Sequence, residues 1–150
     1  MIVVYAVILV CCIVGVVTGV IVLGFDKRHT VEKRIGAALP KSTEDLNYSW
    51  YQPSMDYLTY YVYIKFRASK QDYIDLMHRM GVETYAGTDP YLGVVLPREW
   101  KAILPSGLPW WDPSPDIPDD TALRYESSSG WTVVKYENGY VYIVIYKPIG

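Results

Sequence analysis

Four aspartates lie close together in Leu108–Asp120, the stretch LPWWDPSPDIPDD: Asp112, Asp116, Asp119 and Asp120. Carboxylates at such density raise the question of calcium. A calcium-binding loop needs oxygens at alternate positions, a central glycine for the sharp turn and a distal bidentate glutamate. Here the spacing differs, and Pro113, Pro115 and Pro118 interrupt it. The stretch reads instead as solvated turn aspartates, and no metal site is expected. Elsewhere His29 and His78 are the only histidines. The acidic neighbours Glu44 with Asp45 and Asp119 with Asp120 are adjacent in sequence, a poor basis for an acid and a base that must sit in differently tuned surroundings. The chain contains no G-x-S-x-G elbow, phosphate-binding glycine loop, H-E-x-x-H pair or dinucleotide fingerprint. A non-enzymatic protein without a cofactor is the expectation.

The aromatic residues are the better candidates for function. Trp110 and Trp111 stand side by side between prolines that exclude a regular helix and favour extended backbone. In such backbone neighbouring side chains point to opposite sides, so one ring packs down and the other faces out. Two uses compete: a stiff strap anchored by at least one tryptophan, or a site presenting the rings to a ligand. Further aromatics belong with them. In YLTYYVYIKFR (Tyr57–Arg67), Leu58, Tyr60, Val62, Ile64 and Phe66 alternate with Tyr57, Thr59, Tyr61, Tyr63, Lys65 and Arg67. This is a strand with an aliphatic face and a tyrosine-rich face. In WTVVKYENGYVYIVIYK, Asn138-Gly139 is the favoured type I′ turn pair. That turn fixes the register. Tyr136 with Val141, Val134 with Ile143 and Thr132 with Ile145 then share an aliphatic face. Glu137 with Tyr140, Lys135 with Tyr142, Val133 with Val144 and Trp131 with Tyr146 share the other. Trp110, Trp111, Trp131, Tyr61, Tyr63, Tyr142 and Tyr146 are therefore the candidate binding residues, with the strap expected to roof part of their face.

These strands need a helix to cover their aliphatic side. SKQDYIDLMHRMG supplies it: Ser69 caps, Asp72 reciprocates, Tyr73, Leu76, Met77 and Met80 form the apolar stripe, and Gly81 terminates. His78 falls just off that stripe, as a partly exposed helix histidine. Asp75 is placed to pair with Arg79. YLGVVLPREWKAILP predicts a short strand and a short helix, and ALRYES a further strand. Upstream, STEDL resembles a helix start with Ser42 as cap. Residues 26–56 thus read as a juxtamembrane linker with short helical pieces, and residues 57–150 as an α+β domain: a small antiparallel sheet, one main helix and a C-terminal hairpin.

The remaining segment differs from all of this. Ile2–Phe25 carries no charge, whereas all thirty Lys, Arg, Asp and Glu follow it. A run of that length is expected to cross a bilayer as a single helix, residues 1–25. A cleaved signal peptide would need a basic start, a shorter apolar core and a small-residue cleavage site, none of which is here. Lys27, Arg28, Lys33 and Arg34 follow the run, which favours a cytoplasmic C-terminal domain, with an extracytoplasmic one as the alternative. Both cysteines, Cys11 and Cys12, lie in the span. Cys11, Gly15 and Gly19 share one helix face at a spacing that lets two copies approach closely, so homodimerisation competes with the ordinary abundance of glycine in membrane helices. The net charge of −2 gives no electrostatic reason to expect nucleic acid. The expected function is a non-catalytic membrane-anchored binding module, engaging a protein partner near the membrane as an accessory subunit or an inhibitor or immunity-like protein. The alternative is a small-ligand or glycan-binding domain using the aromatic surface.

Overall fold

The computed structural model describes residues 27–52, 59–82, 84–85, 87, 107–125 and 130–148. The chain divides into two compact units, Met1–Ile35 and Gly36–Gly150. The expected membrane run, with Cys11, Gly15 and Gly19, lies outside the described residues, as do the strand and helix expected within residues 91–106. Among the described residues no helix is long and apolar enough to cross a membrane. In the first unit residues 27–35 are helical (α1), with Arg28 and Glu32 paired one turn apart at 3.1 Å.

The second unit is α+β. Six strands form one antiparallel sheet: β1 (Glu44–Tyr51), β2 (Thr59–Arg67), β3 (Thr84–Tyr85), β4 (Ala122–Tyr125), β5 (Trp131–Glu137) and β6 (Tyr140–Pro148). Their spatial order is β1-β2-β6-β5-β4-β3. The last strand of the chain therefore inserts at the centre, pairing with β2 from Thr59↔Pro148 to Arg67↔Tyr140. The hairpin forms in the expected register, Glu137↔Tyr140 through Trp131↔Tyr146. Asn138 and Gly139 both take positive φ, 51° and 83°. That is the turn whose backbone twist matches the twist of paired strands.

The aliphatic face is the core expected for it. Val62, Ile64 and Phe66 of β2 stand opposite Ile145, Ile143 and Val141 of β6, and all six are buried. The main helix α2 (Lys70–Arg79) packs on this side of β4 and β5. Tyr73 meets Tyr136 with ring centroids 5.5 Å apart, and Arg124 Nη1 donates to the Met80 carbonyl at 2.9 Å. Tyr73, Leu76 and Met77 are its buried residues, and the Ser69–Asp72 capping box is complete. Gly81 follows at φ 64°, the left-handed conformation that ends a helix and costs glycine least. Asp75 accepts from Gln71 at 2.9 Å, while Arg79 donates to the Ala38 carbonyl at 3.3 Å, so the expected Asp75–Arg79 pair gives way to other partners.

Two elements depart from the expectation. STEDL does not begin a helix; Glu44–Tyr51 is the terminal strand of the sheet, paired with β2. A bulge between Glu44 and Asn47 holds Asp45 at φ 50°, which aspartate tolerates better than most residues. Ser42 caps no helix of its own. Its hydroxyl donates to Asp72 Oδ2 at 2.7 Å and so reinforces the cap of α2. The second departure is the two-residue β3, which closes the far edge of the sheet against β4.

Gly139→Val forces a β-branched residue into a left-handed conformation, at about 1–2 kcal/mol or more. The variant is expected to unfold at lower urea concentration with an unchanged slope; an unchanged midpoint would place the turn elsewhere.

Candidate functional site

The second face of the sheet is organised in rows, because antiparallel register brings one residue from each strand side by side. One row is polar: Asn47, Lys65, Tyr142 and Lys135 stand opposite one another across β1, β2, β6 and β5. The next is Ser49, Tyr63, Val144, Val133 and Leu123. The row after it is wholly aromatic: Tyr51, Tyr61, Tyr146, Trp131 and Tyr125, across five strands.

Leu108, Trp110, Trp111 and Ile117 lie over this face, while Asp120 reaches α2 on the other side of the sheet. Trp111 is 8% exposed and sits edge-on to Tyr63 and Tyr142, at centroid distances of 5.2 and 5.4 Å. With Tyr63, Leu123, Val133, Tyr142 and Val144 it forms a second hydrophobic core. The two tryptophans do not point to opposite sides as extended backbone would have them. Trp111 N–H donates to the Leu108 carbonyl at 3.0 Å, closing a turn. That turn brings Trp110 onto the same cluster, 5.9 Å from Trp111 and half-buried.

Polar contacts hold the segment in register. Lys135 is 1% exposed, yet its Nζ is met by the Ser114 carbonyl at 2.9 Å, the Ser114 hydroxyl at 2.8 Å and Glu137 Oε2 at 3.1 Å. Ser114 N–H donates to the same Glu137 oxygen at 2.8 Å. One strap residue thus satisfies both members of an ion pair between buried Lys135 and half-buried Glu137. A second clamp lies across the sheet, where Asp112 Oδ1 accepts from Lys65 Nζ at 2.6 Å and from the Tyr142 hydroxyl at 3.0 Å. Lys65 also lies 4.5 Å from the centre of the Tyr140 ring, a favourable place for a cation. Asp120 pairs with Lys70. Asp112 and Asp120 are therefore ion-paired strap residues rather than merely solvated turn aspartates.

These contacts shift the carboxyl groups. The hydrogen bond from Lys65 is the main cause that holds Asp112 below the ordinary carboxylate range. Burial alone would raise Glu137, but the hydrogen bonds from Ser114 and the Lys135 ammonium outweigh it and leave this carboxyl lowered too. Burial, then the hydrogen bond to Asp112, pushes the Tyr142 phenol up.

The seven aromatic candidates come together on one face, in two settings. Tyr63, Tyr142 and Trp111 are buried beneath or within the strap, with Trp110 half-buried beside them. Tyr61, Tyr146 and Trp131 are half-buried in the outer row, where Tyr146 lies 5.2 Å from Tyr61 and 5.4 Å from Trp131. Sequence reasoning omitted the two ends of that row. Tyr51 and Tyr125 are 44% and 65% exposed. Their signal was available in the alternation Asn47-Ser49-Tyr51 and in Tyr125, two residues beyond Leu123. His78 is exposed on α2. No protein-family model, characterised protein or solved structure matches the chain.

Two outcomes follow for the strap. Trp111→Ala is expected to cost about 3–5 kcal/mol, as a large core truncation does, and Trp110→Ala distinctly less; equal losses in chemical denaturation would contradict this packing. The lowered carboxyl groups give the sign of the pH dependence. A group whose folded pKa is depressed contributes stability above its unfolded pKa and loses it as pH falls through the folded one. Unfolding free energy should therefore decline below about pH 4, and Asp112→Asn with Glu137→Gln should flatten that decline. An undiminished acid slope in the double variant would exclude the two clamps as its source.

Proposed function

We propose that the protein is a non-catalytic, membrane-anchored binding module that engages a protein partner through the open aromatic row of its sheet. The observation that carries this reading is the division of the second face. The strap converts one half into core, while the adjoining row keeps Tyr51 and Tyr125 44% and 65% exposed at its two ends. Tyrosine and tryptophan supply large contact area at small entropic cost and are enriched where proteins bind one another. Exposed aromatic rings at the ends of a half-buried aromatic row are candidates for such an interaction.

The anchor in this proposal is Ile2–Phe25, whose uncharged length suits a single bilayer crossing. The basic residues Lys27, Arg28, Lys33 and Arg34 favour a cytoplasmic domain. In that arrangement the domain works as an accessory or inhibitory subunit held at the membrane surface, and Cys11, Gly15 and Gly19 offer a face on which two anchors pack.

The full chain is expected to remain in membranes after alkaline carbonate washing, with its domain shielded from protease added outside intact cells. Partner capture through the domain should be lost in a Tyr51→Ala, Tyr125→Ala double variant that melts like the parent. A soluble chain, or capture indifferent to both rings, would overturn the reading.

A further inference from the structure

The two edges of the sheet differ. β3, at one edge, is two residues long. β1, at the other, is eight, and among the described residues no strand pairs with its outer side. An unpaired edge accepts another strand, and proteins blunt such edges with bulges, charges or proline. The start of β1 is blunted in this way by Glu44, Asp45 and the bulge before Asn47. Asn47–Tyr51 carries no charge and no proline, and it pairs with β2 in unbroken register.

The backbone groups that this edge presents follow from one hydrogen bond. Ala68 N–H donates to the Gly139 carbonyl at 3.1 Å, one step beyond the pair Arg67↔Tyr140. Antiparallel strands exchange bonds at every second pair. Phe66, Ile64 and Val62 therefore bond to β6, and Lys65, Tyr63 and Tyr61 turn their backbone towards β1. Their partners there are Asn47, Ser49 and Tyr51, so Tyr48 and Trp50 direct N–H and C=O outward. The side chains at this edge are exposed on both faces, Trp50 by 51% on the aliphatic face and Tyr51 by 44% on the other. A molecule laid on one face meets one of these rings. A strand laid along the edge reaches both and also pairs the outward backbone groups.

The strand that complements this edge is the same segment in a second copy. Paired antiparallel about Ser49, Tyr48 of each copy opposes Trp50 of the other in a hydrogen-bonded pair. Ser49 then meets its own counterpart in the closer, non-hydrogen-bonded kind of pair. Aromatic pairs across strands are favourable, and like charges placed opposite one another are not. In this register two Tyr–Trp pairs form, while Glu44 and Asp45 fall outside the paired span. A slip of one residue would set the two faces against each other. A shift of two in one direction brings Asp45 and the bulge opposite Tyr51; in the other it runs past the end of β1 to Pro53. We propose that β1 pairs antiparallel with β1 of a second copy about Ser49, joining two six-stranded sheets into one. Such a two-fold contact is self-complementary and closed. It lies in the plane of the sheets, so it leaves the face of the aromatic row open to a partner. It is also separate from the anchor face of Cys11, Gly15 and Gly19.

The test uses the full chain in detergent micelles, with Cys11→Ser and Cys12→Ser as background. Ser49→Cys places two thiols across the two-fold at a Cα separation of about 4.5 Å, within the range a disulfide spans. Mild oxidation should link this variant into a dimer. Tyr51→Cys should not link, although the site is more exposed, because its two copies are staggered by roughly 14 Å along the strands. Trp50→Pro removes an outward N–H and none of the bonds to β2, which proline permits on an edge strand. Added to Ser49→Cys, it should slow linking at least about tenfold while the domain keeps a cooperative melt. Gly15→Leu with Gly19→Leu, which crowds the anchor face, should leave linking unchanged. Ser49→Cys that does not link, Tyr51→Cys that links equally fast, or linking indifferent to Trp50→Pro would overturn the proposal. Linking lost in the Gly15→Leu, Gly19→Leu variant would assign the association to the anchors and overturn it as well. Ser49→Cys linked to a different protein in native membranes would give the edge to a partner's strand and exclude the second copy.

Discussion

The Lys135 ammonium must be met by oxygen, because it projects from β5 beneath the strap, where the side chain is 1% exposed. Leaving such a charge unpaired there would cost several kcal/mol. Glu137, two residues along the same strand, provides one oxygen, and Ser114 of the strap provides two. A buried ion pair is weak evidence for net stability, because desolvation offsets most of the attraction. Its effect here is on register. A strap displaced by one residue would present a proline where the Ser114 hydroxyl and N–H are needed, and proline has no N–H to give Glu137. Hydrophobic contact brings the segment to the sheet, and the lysine decides where it rests.

That placement divides the face. Trp111, Tyr63 and Tyr142 become core, and their burial explains how the second face of β2 and β6 can carry so many aromatic rings. Tyr51, Tyr61, Tyr146, Trp131 and Tyr125 remain beyond the strap as a row across the strands. The proposed binding function uses the row beyond the strap, and the strap is packed as part of the domain.

Local signals carried much of this architecture. Asn138-Gly139 set the hairpin register, the Ser69–Asp72 box and Gly81 bounded α2, and period-two alternation marked β2. The failures have a common cause in contacts distant along the chain. Glu44–Tyr51 alternates, with Leu46, Tyr48 and Trp50 against Asn47, Ser49 and Tyr51, but Ser42 and Asp45 imitate a helix cap; the nearby sequence does not show that Ser42 serves the cap of α2, thirty residues away. The partners of Asp112 and Asp120 lie 47 and 50 residues distant, so their carboxylates read as solvated. That both tryptophans pack on one side is not legible locally, because the Leu108–Trp111 turn has no strong signature beyond Gly107 and Pro109. The aromatic face itself was legible; its boundary was not, because that depends on where the strap comes to rest.

Thiol labelling of single cysteines tests the permanence of the strap most directly, since Cys11 and Cys12 are the only native cysteines and are replaced by serine in the background. Val144→Cys places a thiol under the strap, where Val144 is 2% exposed, and Tyr125→Cys places one in the open row. The account predicts that the first is labelled only as fast as global unfolding permits, with a protection matching the denaturant-derived stability, and that the second reacts like a free thiol. Labelling of Val144→Cys far faster than global unfolding allows would mean that the strap opens on its own, contradicting the division of the face into core and binding row.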